Sequence, residues 1–265
     1  MKTLRIATLS AALIFAADMA SAQTPSAEEI MKRNFTTSKF TDSTADSTMR
    51  LINKDGKERV RESTGVTKLI SGTTDNQRLI TFLSPSDVKG TKNLLIEHSN
   101  KEDDIWIYLP ALKKVRRLVA SNKKDAFAGT DFSYGDIIGY KVDEWNHKLV
   151  KEDKVNGKDC WLIESTPKTP AVADTYGVSK RTNCIEKESA VAISGESYDA
   201  GGQLVKKYSA SDLKKMDEKS NKWTPLKMEA VNVETGHKTV IEFKNFKVNT
   251  GVSDAVFTTR SLEKR

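Results

Sequence analysis

Three histidines and a pair of adjacent carboxylates are the side chains here whose types suit acid–base or metal chemistry. His98, His147 and His237 stand singly, without the spacing that lets two imidazoles share one ion. Asp103 and Asp104 introduce an apolar run, Asp104-Ile-Trp-Ile-Tyr-Leu-Pro110. Adjacent residues on a strand point to opposite faces, so the two carboxylates cannot act as a pair and read as an acidic turn. Asp131 and Asp136 fall among glycines and aromatics, where capping or solvation is the expected role. There is no His-Glu-x-x-His, no Gly-x-Ser-x-Gly and no phosphate-cradling loop. No catalytic residue, metal or cofactor is expected, and the chain reads as a non-enzyme.

The informative residues are apolar. In the Trp106 strand, Ile105, Ile107 and Leu109 face one way and Trp106 and Tyr108 the other. A strand apolar on both sides is covered on both, either by ordinary core or by a cargo or lid on one side. Ile80 with Phe82, and Leu94 with Ile96, form similar same-face pairs. Together with Trp106 and Tyr108 they are the candidate walls of a lipid-binding cavity, ordinary core being the alternative. A basic strand follows, Lys113-Lys-Val-Arg-Arg-Leu-Val119. Arg116 and Arg117 alternate, so only one can face inward, where it would hydrogen-bond lid backbone or a lipid headgroup. The alternative is two solvated edge charges. Next comes Ala126-Phe-Ala-Gly-Thr-Asp-Phe-Ser-Tyr-Gly-Asp-Ile-Ile138, too glycine-rich for a strand or a long helix. It reads as a flap or short helix whose Phe127, Phe132, Tyr134, Ile137 and Ile138 close a cavity or seal a small core of their own.

The elements that must hold these residues are mostly strands. Ser26 and Glu29 form a capping box that opens a helix to about Phe35. From Lys39 the hydrophobic period changes to two, and turn signals at Asn53–Gly56, Ser71-Gly72, Ser84-Pro85, Asn156-Gly157, Ala200–Gly202 and Thr235-Gly236 divide the chain into about ten or eleven strands. Most strands alternate apolar with polar, as sheets with one wet face do. Thr166 to Gly177 reads as a surface excursion, Asp212–Asp217 as a strand end and turn, and Ser253–Phe257 as a last helical turn.

The ends and the composition bound the setting. Lys2 and Arg5, an apolar run from Ile6 to Ala17, and Ala20-Ser-Ala22 form an export signal cleaved before Gln23. No cysteine at that point suggests a lipid anchor, and the mature residues 23–265 suit one domain. The chain has 43 Lys and Arg against 36 Asp and Glu, a formal charge of +7. Export makes nucleic acid an unsuitable partner, leaving acidic lipid, an acidic protein or a merely solvated surface. Cys160 and Cys184 are the two cysteines, and an even count in an oxidising compartment predicts a disulfide.

With those residues in view, the chain resembles the outer-membrane lipoprotein-sorting proteins of LolA/LolB-like fold. The words that carry the resemblance are Phe82-Leu-Ser-Pro85, Lys89-Gly90, Asp103–Pro110, Lys114–Arg117 and Gly129–Tyr134. The resemblance implies a mainly β fold, an incomplete antiparallel β-barrel with short helices acting as a lid. It also implies a periplasmic, monomeric carrier of acylated lipoprotein or another lipid, with an inner-membrane RND-type transporter or an outer-membrane acceptor as partner. Period-two patterning by itself establishes only a large antiparallel sheet. The other function classes open at this point are a docking subunit that binds no lipid, and a hydrolase of envelope lipid for which no nucleophile and base are visible.

Overall fold

The structure is a computed structural model and describes residues 24–119 and 123–264. The expected signal segment, residues 1–22, lies outside the described residues. Helix α1 (Ala27–Thr37) is opened by the expected capping box, in which the Glu29 carboxylate accepts from the Ser26 N–H at 2.8 Å. Six strands follow: β1 (Asp42–Ile52), β2 (Glu58–Leu69), β3 (Asn76–Ser84), β4 (Lys92–Ile96), β5 (Asp104–Leu109) and β6 (Lys114–Leu118). The flap contains a 3-10 turn at Phe127–Gly129 and helix α2 (Tyr134–Ile138). Then come β7 (Trp145–Val155), β8 (Lys158–Pro167), helix α3 (Pro170–Tyr176), β9 (Lys180–Glu186), β10 (Ala192–Tyr198), β11 (Leu204–Asp217), β12 (Lys222–Asn232) and β13 (Lys238–Val248). Helix α4 (Thr259–Glu263) ends the described chain.

The strands of the described residues form one antiparallel sheet of 13, in the order β6-β5-β4-β3-β2-β1-β13-β12-β11-β10-β9-β8-β7. Pairing of β1 with β13 joins two meanders, and the sheet does not close between β6 and β7. Thirteen strands exceed the ten or eleven expected. The turn at Asn156-Gly157 has the two positive φ angles, 49° and 80°, of a tight hairpin. The excursion at 166–177 contains α3, capped by Thr169 with Pro170 in its first turn.

The sheet is strongly curled. Phe82 on β3 and Tyr208 on β11 are five strand spacings apart, about 24 Å across a flat sheet. Phe127 nevertheless lies 6.1 Å from Phe82, and Phe132 lies 6.3 Å from Tyr208. The Phe127 N–H donates to the Phe132 carbonyl at 2.8 Å, so one small loop touches both.

Each face has its own cover. On the concave face Ile30 of α1 is packed against Trp161, Ile163 and Ile185 of β8 and β9, and the flap covers the other half. On the convex face Phe257 and Leu262 cover Leu94, with Trp106 and Tyr108 beside it. Cys160 and Cys184 are bridged on that same convex face, their Cα atoms 5.5 Å apart, beside Ile193 and Leu213.

Candidate functional site: an apolar floor under a polar-latched loop

The concave floor is built by strand alternation. Met49, Ile80, Phe82, Leu95, Ile105 and Ile241 are all buried and point to one side of β1, β3, β4, β5 and β13. The loop from Ala126 to Ile138 fills the space above them with Phe127, Phe132, Tyr134 and Ile138. Phe127 is fully buried and meets Tyr134 edge-on at 5.4 Å. Burial pushes the Tyr134 phenol up to about 12, and its hydroxyl reaches Asn93 at 3.4 Å. Gly135 is required by close approach: a Cβ there would sit 2.9 Å from the ring of Tyr176, on which α2 rests.

The loop is held by polar contacts at both ends. Asp131 accepts from Thr239 Oγ1 at 2.7 Å and pairs with His237 Nδ1 at 2.6 Å. Asp136 caps α2 by accepting from the Ser133 N–H at 2.9 Å. The same carboxylate takes Lys206 Nζ at 2.5 Å and the Tyr140 hydroxyl at 2.9 Å. Burial alone would raise the Asp136 carboxyl, but Lys206, Arg181 and the Ser133 N–H hold it down at about 2. Arg181 stacks on the Tyr140 ring, 3.6 Å from its centroid, and burial pushes that phenol up. Arg78 of β3 donates to the main-chain carbonyl of Ile137.

Beside the loop, on its β10–β13 side, lies an open cleft of about 670 Å³. Phe132, Tyr140, Ser197, Lys206 and His237 are in its wall. Phe132 belongs to both compartments, with the apolar floor on one side and this polar cleft on the other.

The residues singled out in the sequence divide between the two faces. Ile80 and Phe82 lie on the floor with Phe127, Phe132, Tyr134 and Ile138 above, and Ile137 packs at the margin. Leu94, Ile96, Trp106 and Tyr108 do not share that wall, which corrects the expectation for all four. Leu79 and Trp106 are both directly opposite Leu94, so these residues project from the convex face under the C-terminal segment. Their apolar character comes from that cover, while Ile105, Ile107 and Leu95 provide the matching positions on the floor. Arg116 is directly opposite Ile107 and is exposed on the concave side, with no hydrogen bond to the loop backbone among the described residues. Arg117 is on the convex side, 2.5 Å from Asp104 and over the Trp106 ring at 5.6 Å. The arginine that reaches the loop backbone is Arg78, whose parity with Ile80 and Phe82 was the available signal. Asp103 and Asp104 go separate ways: Asp103 is buried against Lys123 at 2.6 Å, and Asp104 joins His98 and Arg117. The latch partners Lys206 and Arg181 carried no sequence signal, because distant strands bring them together. Among the described residues no cluster of three or more His, Cys, Asp or Glu could hold a metal ion, and no helix is long and apolar enough to cross a membrane.

This half-open curled sheet with helices on its concave face has the LolA-superfamily fold. A LolA superfamily protein from Nitrosomonas europaea superposes with a TM-score of 0.67 over 90% of this chain and all of its own, at 16% identity. The chain belongs to the DUF1329 family: the family protein from Desulfovibrio piger is 31% identical, covering 89% of this chain and 97% of its own, with a TM-score of 0.81. A family model described only as an uncharacterized protein matches residues 74–264. A domain from Vibrio parahaemolyticus, named for outer membrane lipoprotein sorting, is 27% identical over 90% of this chain and 98% of its own, with a TM-score of 0.81. No functionally curated protein matches the sequence.

Proposed function

We propose that the chain is a non-enzymatic periplasmic carrier that binds acyl chains of lipoproteins or other lipids on the concave floor and transfers them across the periplasm. In this reading residues 1–22 direct export, residues 23–265 act as one monomeric lipid-binding domain, and an RND-type transporter or an outer-membrane acceptor is the partner. The observation that supports it is the floor of Met49, Ile80, Phe82, Leu95, Ile105 and Ile241, covered by Phe127, Phe132, Tyr134 and Ile138 of one short loop. An acyl chain of about 15 methylenes would gain on the order of 12 kcal/mol on such a surface before costs. Phe127, Phe132, Tyr134 and Ile138 gain from the same surface when the loop is down. Cargo and loop therefore compete, and closed empty and open loaded states can lie close in energy. The named relative from Vibrio parahaemolyticus favours a lipoprotein-related cargo.

The test is native mass spectrometry of protein purified from its own host, with uptake of a fluorescent acyl probe by the delipidated protein. Co-purified lipid and saturable uptake are expected. A consistently empty protein that takes up no probe overturns the reading.

A further inference from the structure

We propose that the cleft beside Phe132 is the head site for an amphiphile with an oxyanion head, a phosphate or a carboxylate, whose chain lies on the floor. This inference rests on the carrier reading and narrows its cargo. The cleft has an excess of positive charge. Lys206 and Arg181 share one carboxylate, Asp136, which is 2.5 Å from the first and 4.0 Å from the second. Lys124 lines the mouth, is exposed, and has no acidic partner among the described residues. The acid in the cleft wall, Asp131, is occupied by Thr239 and His237.

Arg181 has an unused donor. Its Nε is buried with no hydrogen-bond partner, while 18% of its side-chain surface remains exposed. It sits between Ser197, directly opposite on β10, and the Tyr140 ring, and both of these are in the cleft wall. A planar, part-exposed guanidinium with an unpaired donor, beside a lysine and a hydroxyl, matches an oxyanion. An orphaned buried donor costs stability unless something pairs with it, and a head group there would pair with it. Phe132 connects this cleft to the floor. When its ring withdraws, head site and chain site become continuous.

The experiment compares two fluorescent lysolipids with the same acyl chain, one with a phosphate head and one with a neutral glycerol head, and adds inorganic phosphate as a third ligand. The phosphate-headed probe is expected to bind about tenfold more tightly than the neutral one, a difference that shrinks with added salt. Lys124→Glu should remove most of that preference and leave the neutral probe's affinity unchanged. Arg181→Gln should also remove most of the preference, and because it loosens the Asp136 latch as well its effect is read as the ratio of the two probes' affinities. Lys124 is exposed and outside the buried contacts, so its variant remains readable even where Arg181→Gln lowers the melting temperature. Equal affinity for the two heads, or a preference that survives Lys124→Glu in a folded protein, overturns the head site and leaves the carrier reading standing. No binding of either lysolipid overturns both. Inorganic phosphate binding as tightly as the phosphate-headed lysolipid overturns the amphiphile in favour of a free-anion site.

Discussion

Arg78, in the middle of the floor, donates a hydrogen bond to the carbonyl of Ile137, the penultimate residue of the loop helix. The last carbonyls of a helix have no partner within it, so a strand side chain here completes the helix from below. Burial of Arg78 lowers its pKa, and Thr67 supports it at 3.3 Å.

Arg78→Met retains the apolar stem and leaves the Ile137 carbonyl unsatisfied. Losing a hydrogen bond from a charged donor costs about 1.5–3 kcal/mol locally. Amide exchange across 134–139 should therefore accelerate by about tenfold or more, with smaller changes in β1 and β13. Hydrogen-exchange mass spectrometry checks this. Unchanged exchange in the loop helix would show that Arg78 does not hold it.

The two faces of β5 give opposite expectations for two aromatic truncations. Trp106→Ala on the convex face should lower stability by about 2 kcal/mol, since the ring is half-buried, and leave acyl-probe affinity unchanged. Phe127→Ala should also destabilise, by about 3 kcal/mol, yet tighten probe binding, because the competing side chain is gone. Thermal melts with parallel probe titrations separate the two. A loss of probe binding in Trp106→Ala and none of the gain in Phe127→Ala would reverse the assignment of faces.

The assignment of faces is also where sequence reading stopped. The capping box at Ser26, the hairpin at Asn156-Gly157 and the apolar loop after Gly129 are local patterns, and each is present in the fold. Alternation in β5 separates Ile105 and Ile107 from Trp106 and Tyr108 correctly. It has no sign, however, because nothing within six residues tells which side the loop takes and which side the C-terminal segment takes. Phe257 and Leu262 decide that, from far along the chain. The latch formed by Asp136, Lys206 and Arg181 is hidden for the same reason, as it exists only once β9, β11 and the loop meet.

The disulfide offers a control on the convex face. Closing a loop of about 25 residues stabilises by roughly 3.5 kcal/mol on a chain-entropy basis. Reduction of Cys160–Cys184 should therefore lower the melting temperature clearly. Because the pair projects away from the floor, acyl-probe affinity below the new transition should be unchanged. A fall in affinity on reduction would mean that the two faces are coupled.

Acid should release the loop through Asp136. Its carboxyl sits at about 2 in the folded protein against an ordinary 3.8. A depressed carboxylate contributes stability that is fully present above its unfolded value and is lost as pH falls toward the folded one. The loss therefore falls between about pH 4 and pH 2 and amounts to roughly 2 kcal/mol. At neutral pH the Asp136 carboxyl is ionised, so in the proposed carrier the loop would open through competition by cargo and not through protonation of Asp136. Asp136→Asn removes one partner of a buried charge cluster and leaves Lys206 and Arg181 facing each other. That variant should be less stable at pH 7 by about 3 kcal/mol, and its stability should fall less steeply between pH 4 and pH 2. Denaturant titrations across that range measure both slopes. Parallel curves for the two proteins would exclude Asp136 as the acid-sensitive latch.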